Sequence, residues 1–183
     1  MLKIVVKQVS IIRPIKKFES IPIFAQILTM MLAYILGSIS IAFSFAVIGL
    51  LINTAIRNMN FYIRLSNFNF ITGEKANRYL GVLYFKHILV TSFWRHFNPV
   101  LKLTERPDKQ KLQSLRNEMT YAEISHLIAF LLVAVLAVLS KVLHYREQGF
   151  FPLLIANVAF HLYPALVQQY NKRRLDRILR AYK

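Results

Sequence analysis

Two short stretches hold most of the side chains equipped for chemistry. One contains Arg116, Glu118, Glu123 and His126; the other contains Gln168, Gln169, Tyr170, Asn171, Lys172, Arg173 and Arg174. Glu123 and His126 lie three apart, so on a helix they share a face. A carboxylate beside an imidazole fixes its tautomer and stabilises the imidazolium, which is the usual arrangement of a general base. His126, oriented by Glu123, is therefore the candidate base for taking a proton from an acceptor hydroxyl. Gln168, Tyr170 and Asn171 offer neutral polar groups to a carbonyl or a sugar. Arg174, with Arg173 or Arg116, offers planar forks that suit a phosphate. A plainer reading stands beside each of these: an interfacial ion pair that ends a span for Glu123, and charge anchoring for the arginines.

Further along the last apolar run, Asn157, His161, Pro164 and Gln168 follow helical spacing and form one stripe. Such a stripe faces the protein interior, because lipid satisfies no polar group. For Asn157 and His161 the expected role is hydrogen bonding between helices. Pro164 removes a backbone donor and frees a carbonyl one turn before the basic stretch. No metal is expected: Glu-x-x-His occurs once, and the chain holds eight acids in all, whereas a di-iron bundle repeats that motif and adds two glutamates. Cysteine is absent, which excludes disulfides and thiol nucleophiles. Neither a glycine-rich phosphate loop nor a serine nucleophile elbow is present.

The elements that must position these residues are membrane helices. The chain has 183 residues, is 56% hydrophobic and carries a net charge of +16, a combination that suits a membrane protein with basic aqueous segments. The basic residues flank apolar runs and form no continuous patch, so anionic lipid headgroups are the expected partner and nucleic acid is not. Residues 1–20 read as a basic, partly amphipathic segment broken at Pro14. Residues 21–56 hold no charge and are read as retained membrane segment, one long tilted helix or a helix with a re-entrant start, with a hairpin bent at Gly37-Ser38 as the alternative. Residues 57–118 form a basic cytoplasmic or interfacial region in which Leu80–Trp94 suits an interfacial helix, and Asn98-Pro99 and Arg106-Pro107 are loop signals. Residues 119–143 and 150–170 are spans, joined as an antiparallel hairpin by the short loop 144–149, and 171–183 is a basic tail. The middle region carries eleven Lys and Arg and the tail six, against one in the short loop, which places the first two in the cytoplasm. The expected fold is an all-α integral membrane protein, a single domain over 1–183, with three to four transmembrane helices, an interfacial amphipathic helix and a C-terminal hairpin.

The Glu-x-x-His at the start of one span and the terminal Gln-x-Tyr-Asn-Lys-x-Arg-Leu stretch together resemble a family of small bacterial membrane proteins, the glycosyl-4,4'-diaponeurosporenoate acyltransferases of staphyloxanthin-type carotenoid pathways. The resemblance covers about residues 75–180 and is strongest over 116–126 and 163–175, with a weaker match at Tyr84-Phe85-Lys86. This chain departs from the family pattern at His161, Gln169 and Lys172. The resemblance implies transfer of a fatty acyl group to a sugar hydroxyl of a membrane-bound carotenoid glycoside. It also implies an acyl donor such as acyl-CoA as co-substrate, no bound cofactor, and a lipid-like substrate met in the membrane, with self-association or pathway enzymes as further partners. The competing expectation is a non-enzymatic membrane subunit of a lipid or pigment pathway, in which the same residues are packing and anchoring groups. A transporter would want more spans and repeat symmetry.

Overall fold

The apolar run after Pro22 carries no proline and no charge, and it forms a single uninterrupted helix, α1 (Ile23–Ile56). The structure, a computed structural model, describes residues 22–92, 108–145 and 147–182; the expected amphipathic segment at 1–20, Trp94 and the loop signals at 98–99 and 106–107 lie outside them. With 34 residues, α1 is about 51 Å long, against a hydrocarbon core of about 30 Å. The expected alternative of a hairpin at Gly37-Ser38 is therefore not what forms. Ser38 Oγ donates to the Tyr34 carbonyl at 2.7 Å, and Thr29, Ser44 and Thr54 bond back in the same way. Each hydroxyl is thus satisfied within its own helix and leaves the backbone ladder intact.

Short pieces follow: α2 (Tyr62–Asn67), α3 (Glu74–Tyr79) and α4 (Val82–Thr91). Gly81 joins α3 to α4 with φ of 69°, a left-handed turn that glycine adopts without strain. The second long helix, α5 (Lys109–Val142), runs from basic surface into apolar span without a break. A 3₁₀ turn (Glu147–Gly149) then opens the last rod, which consists of α6 (Phe150–Asn157), a π-turn (Val158–Leu162) and α7 (Tyr163–Ala181). The π-turn directly precedes Pro164. A proline ring collides with the carbonyl four residues back, here Phe160, and widening the turn relieves that collision.

Three rods, Ile23–Ile56, Lys109–Val142 and Glu147–Ala181, are long and apolar enough to cross a membrane, and no strand occurs among the described residues. The protein is therefore an all-α membrane protein with three candidate spans. In lipid, helices associate through close packing and a few polar bonds, and both operate here. Gly49 on α1 lies against Ser125 and Ala129 of α5. Asn53 donates to the Tyr121 carbonyl at 2.8 Å and to Ser125 Oγ at 2.9 Å. Asn157 Nδ2 donates to the Phe130 carbonyl at 3.0 Å, and His161 Nε2 lies 3.1 Å from the Ala42 carbonyl, so these two residues tie the three rods together. Apolar packing completes the bundle at Val133, Ala137 and Leu153 in one cluster and at Val82, Leu166 and Val167 in another. The second cluster seats α4 on α7, helped by the Phe85–Tyr163 stack at 4.9 Å and by the Tyr163 hydroxyl, which donates to the Leu80 carbonyl at 3.0 Å. The expected interfacial helix is thus a wall of the bundle.

Candidate active site

The antiparallel packing of α5 and α7 brings Gln169 and Lys172 to the level of Glu123. Gln169 Nε2 donates to Glu123 Oε1 at 2.8 Å, and Lys172 Nζ lies 2.6 Å from Oε2 in a close ion pair oblique to the ideal hydrogen-bond direction. Glu123 is 2% exposed and Lys172 fully buried. The expected partner of Glu123 was His126; in the structure its carboxylate oxygens meet Gln169 and Lys172. Three-residue spacing puts the two on one face, but at a buried site a full cation from the neighbouring helix competes better for a carboxylate than a neutral ring does. Glu123 is the centre of a structural lock.

The same lock reaches the segment that leads into α3 and α4. Gln169 Oε1 accepts the Ile71 N–H at 3.0 Å, Lys172 Nζ donates to the Phe68 carbonyl at 3.2 Å, and Arg173 donates to the carbonyls of Ile71, at 2.7 Å, and Thr72. Arg116 is similarly engaged, donating to Asp176 Oδ1 at 2.7 Å, Ser66 Oγ at 2.9 Å and Asn67 Oδ1 at 2.9 Å. Arg173 and Arg116, expected to hold a phosphate, instead hold the chain to itself. The physical reason is that segment 68–72, just past the end of α2, has no regular ladder of its own, and its carbonyls need donors.

His126 lies about one turn deeper than Glu123 and belongs to a different environment. It lines a cavity of about 420 Å³ between α1, α4, α5 and the last rod. Phe43, Phe85, Ile88 and Phe160 supply apolar walls; His126, His161 and Gln168 supply the polar ones. The rings of His126 and His161 are 6.0 Å apart between centroids. His161 Nδ1 and Gln168 Oε1 are buried and make no hydrogen bond within the protein. Asn53 Oδ1 and Asn157 Oδ1, which lie away from this cavity, are buried and unpaired in the same way.

Near this cavity, α4 and α7 carry the remaining predicted residues. Lys86, next to the cavity-lining Phe85, donates to Asn171 Oδ1 at 3.1 Å and lies 5.1 Å from the centroid of the Tyr170 ring. Burial, and after it the charge of Arg174, holds the Lys86 ammonium below the usual lysine range. Arg174 is exposed. The structure thus separates the predicted set. His126 and Gln168 line the cavity; Tyr170, Asn171 and Arg174 lie near Lys86 at a cationic edge; Glu123, Arg116 and Arg173 are engaged in bonds within the protein. Sequence reasoning missed Lys86 and Lys172 as site and lock residues. The signal for Lys86 was its place inside an apolar run. For Lys172 it was its helical register with Gln169, opposite a buried acid.

A larger polar cavity, about 870 Å³, is lined by Arg57, Tyr62, Gln113, Asn117 and Tyr121 among others. Asn117 precedes His126 by nine residues, half a turn around the helix, so this cavity lies on the opposite face of α5, and no histidine lines it. Among the described residues no group of three His, Cys, Asp or Glu is placed to hold a metal.

Fold and site together define a small helical membrane protein with a histidine-bearing apolar pocket beside a cationic edge. Residues 58–181, more than half of the chain, match the family model described as glycosyl-4,4'-diaponeurosporenoate acyltransferase, and the chain belongs to that family. No curated protein and no solved structure matches it.

Proposed function

We propose that the protein is a membrane acyltransferase that works in the His126 cavity. The carrying observation is an apolar pocket lined by His126, His161 and Gln168, in a chain whose family is named for acyl transfer. The donor is a long-chain acyl thioester such as acyl-CoA. The acceptor is a hydroxyl of a lipid-like glycoside, a carotenoid glycoside by the family's name. His126 takes the proton of the acceptor hydroxyl as its oxygen attacks the thioester carbonyl carbon. The C–O ester bond forms, the C–S bond breaks, and the proton passes from His126 to the leaving thiolate. His161, 6.0 Å away centroid to centroid and bonded to the Ala42 carbonyl, positions the far wall. The Gln168 amide is the donor to the developing oxyanion. Lys86 and Arg174 receive the donor's phosphate, with Asn171 and Tyr170 orienting Lys86.

The basic region 57–118 and the C-terminal helix then face the cytoplasm and its soluble donor, and anionic headgroups attract the basic surface. The commitment of Glu123, Arg116 and Arg173 to internal bonds favours a scaffold over an enzyme; the pocket, which a scaffold does not need, favours the enzyme. The experiment is lipid mass spectrometry on host cells carrying the intact gene, no gene, or His126→Ala. The expected result is a set of acylated glycolipids that disappears without the gene and is not restored by the variant. Full restoration by His126→Ala, with equal membrane expression, would falsify the role of His126.

A further inference from the structure

The His126 cavity has a neighbour across the π-turn. Ala159 and Phe160 line it and also line a second cavity of about 700 Å³ between the first half of α1 and α6. Its walls are Ile27, Met31 and Ile35 on one side and Phe151 and Ile155 on the other; Tyr34 and Gln148 are the only lining residues with polar groups. Lining positions on α1 run from Ile27 to Ala46 across the two cavities. At the helical rise this is about 29 Å, close to the roughly 30 Å thickness of a bilayer's hydrocarbon core.

We propose that these two adjoining cavities together hold the acyl chain of the donor and set which chain lengths are transferred. The inference rests on the acyl-transfer reading and adds the chemistry of the occupant. An acyl thioester has three parts in line: an anionic head, a reacting carbonyl and an apolar tail. The protein presents three zones in the same order, namely Lys86 and Arg174 at the edge, His126 and Gln168 in the cavity, and an apolar groove beyond it. With a carbonyl at His126 and its phosphate at Lys86, a tail that passes Ala159 and Phe160 enters the second cavity. Met30 and Met31 in the groove are unbranched and adaptable, which suits a flexible chain rather than one rigid shape.

The test is competition. The purified protein in lipid nanodiscs receives a mixture of acyl-CoA donors from medium to long chain, with a fixed glycolipid acceptor, and the ester products are read by mass spectrometry. Ile35→Trp narrows the deep groove at a position 44% exposed, where folding is not at risk. It is expected to lower the ratio of long-chain to medium-chain products roughly tenfold or more, since each methylene left unburied weakens binding several-fold. Ala159→Phe at the junction is expected to push the preference shorter still. Unchanged product lengths in an active Ile35→Trp protein would overturn the groove and leave the acyltransferase reading standing, with bulk lipid as the occupant. Sensitivity to the acceptor's tail length, with none to the acyl length, would overturn it in favour of the acceptor. If the wild type transfers nothing, the acyltransferase reading fails, and a fatty acid carrying a terminal diazirine decides the groove. Photoadducts concentrated on residues 27–39 and 151–156 support it. Adducts spread evenly over exposed positions such as Leu131, Val135 and Val138 contradict it.

Discussion

At the scale of single residues, the main finding is a division of labour between two polar groups one turn apart. Glu123 is tied to Lys172 and Gln169, while His126 is turned to an apolar cavity. Removing one member of a buried pair strands the other, at a cost of about 3 kcal/mol or more. Lys172→Met and Glu123→Gln should therefore each lower the thermal midpoint markedly in a detergent–lipid melt, and the double variant should lie well above the sum of the two losses. Strictly additive losses would contradict the lock. Lys86 gives a prediction in pH. Its ammonium is held below the usual lysine range, so its charge is present at low pH and is lost as pH rises through that lowered value. KM for the thioester should climb over that window while kcat changes less. Lys86→Arg, which stays charged, should flatten the climb; an identical pH profile in the variant would remove Lys86 from donor binding. The sequence pointed to His126, Gln168 and Arg174 by residue type and spacing. It could not separate them from Glu123, Arg116 and Arg173, because partner choice depends on which helix lies opposite, and spacing within one helix carries no such information.

At the scale of elements, close approach and helix interruption position the site. A Cβ on Gly49 would stand 2.5 Å from the Ser125 carbonyl oxygen and 3.0 Å from Ala129 Cβ. Gly49→Ala should thus force α1 away from α5 and cost about 1–3 kcal/mol. Gly37, around which nothing lies within 4 Å, should tolerate alanine or gain up to about 1 kcal/mol from helix propensity. Thermal midpoints of the two variants check the pair, and equal behaviour would contradict the packing. The spans over 119–143 and 150–170 were legible from hydropathy and from their flanking basic residues. The π-turn was not, since Pro164 signals a disturbance without fixing its form. Nor was the choice between one helix and a hairpin over 21–56 legible, because Gly37-Ser38 suits both; the structure has one unbroken helix there.

At the scale of the whole molecule, three rods and α4 wall an apolar pocket that lies beside a basic edge. If the basic middle region and C-terminal helix are cytoplasmic, three crossings put residue 22 and the 144–149 loop on the far side. The chain has no cysteine, so single cysteines at Thr72 and at His144 should react with a membrane-impermeant maleimide from opposite faces of sealed vesicles. Labelling from the same face would contradict that topology. The family was legible because its two motifs survive in the primary structure. The pocket was not, because α1 carries no motif and α4 only the weak match at Tyr84-Phe85-Lys86. The central claim is that His126 drives acyl transfer, and reconstitution tests it most directly. Purified protein in proteoliposomes is supplied with a long-chain acyl-CoA and a membrane glycoside, and free thiol and ester product are followed together. The account predicts equal amounts of thiol and ester from the wild type, and loss of both by at least about a thousandfold in His126→Ala, within the range removed with a general base. Thiol and ester formed at the wild-type rate by a folded His126→Ala protein would contradict it.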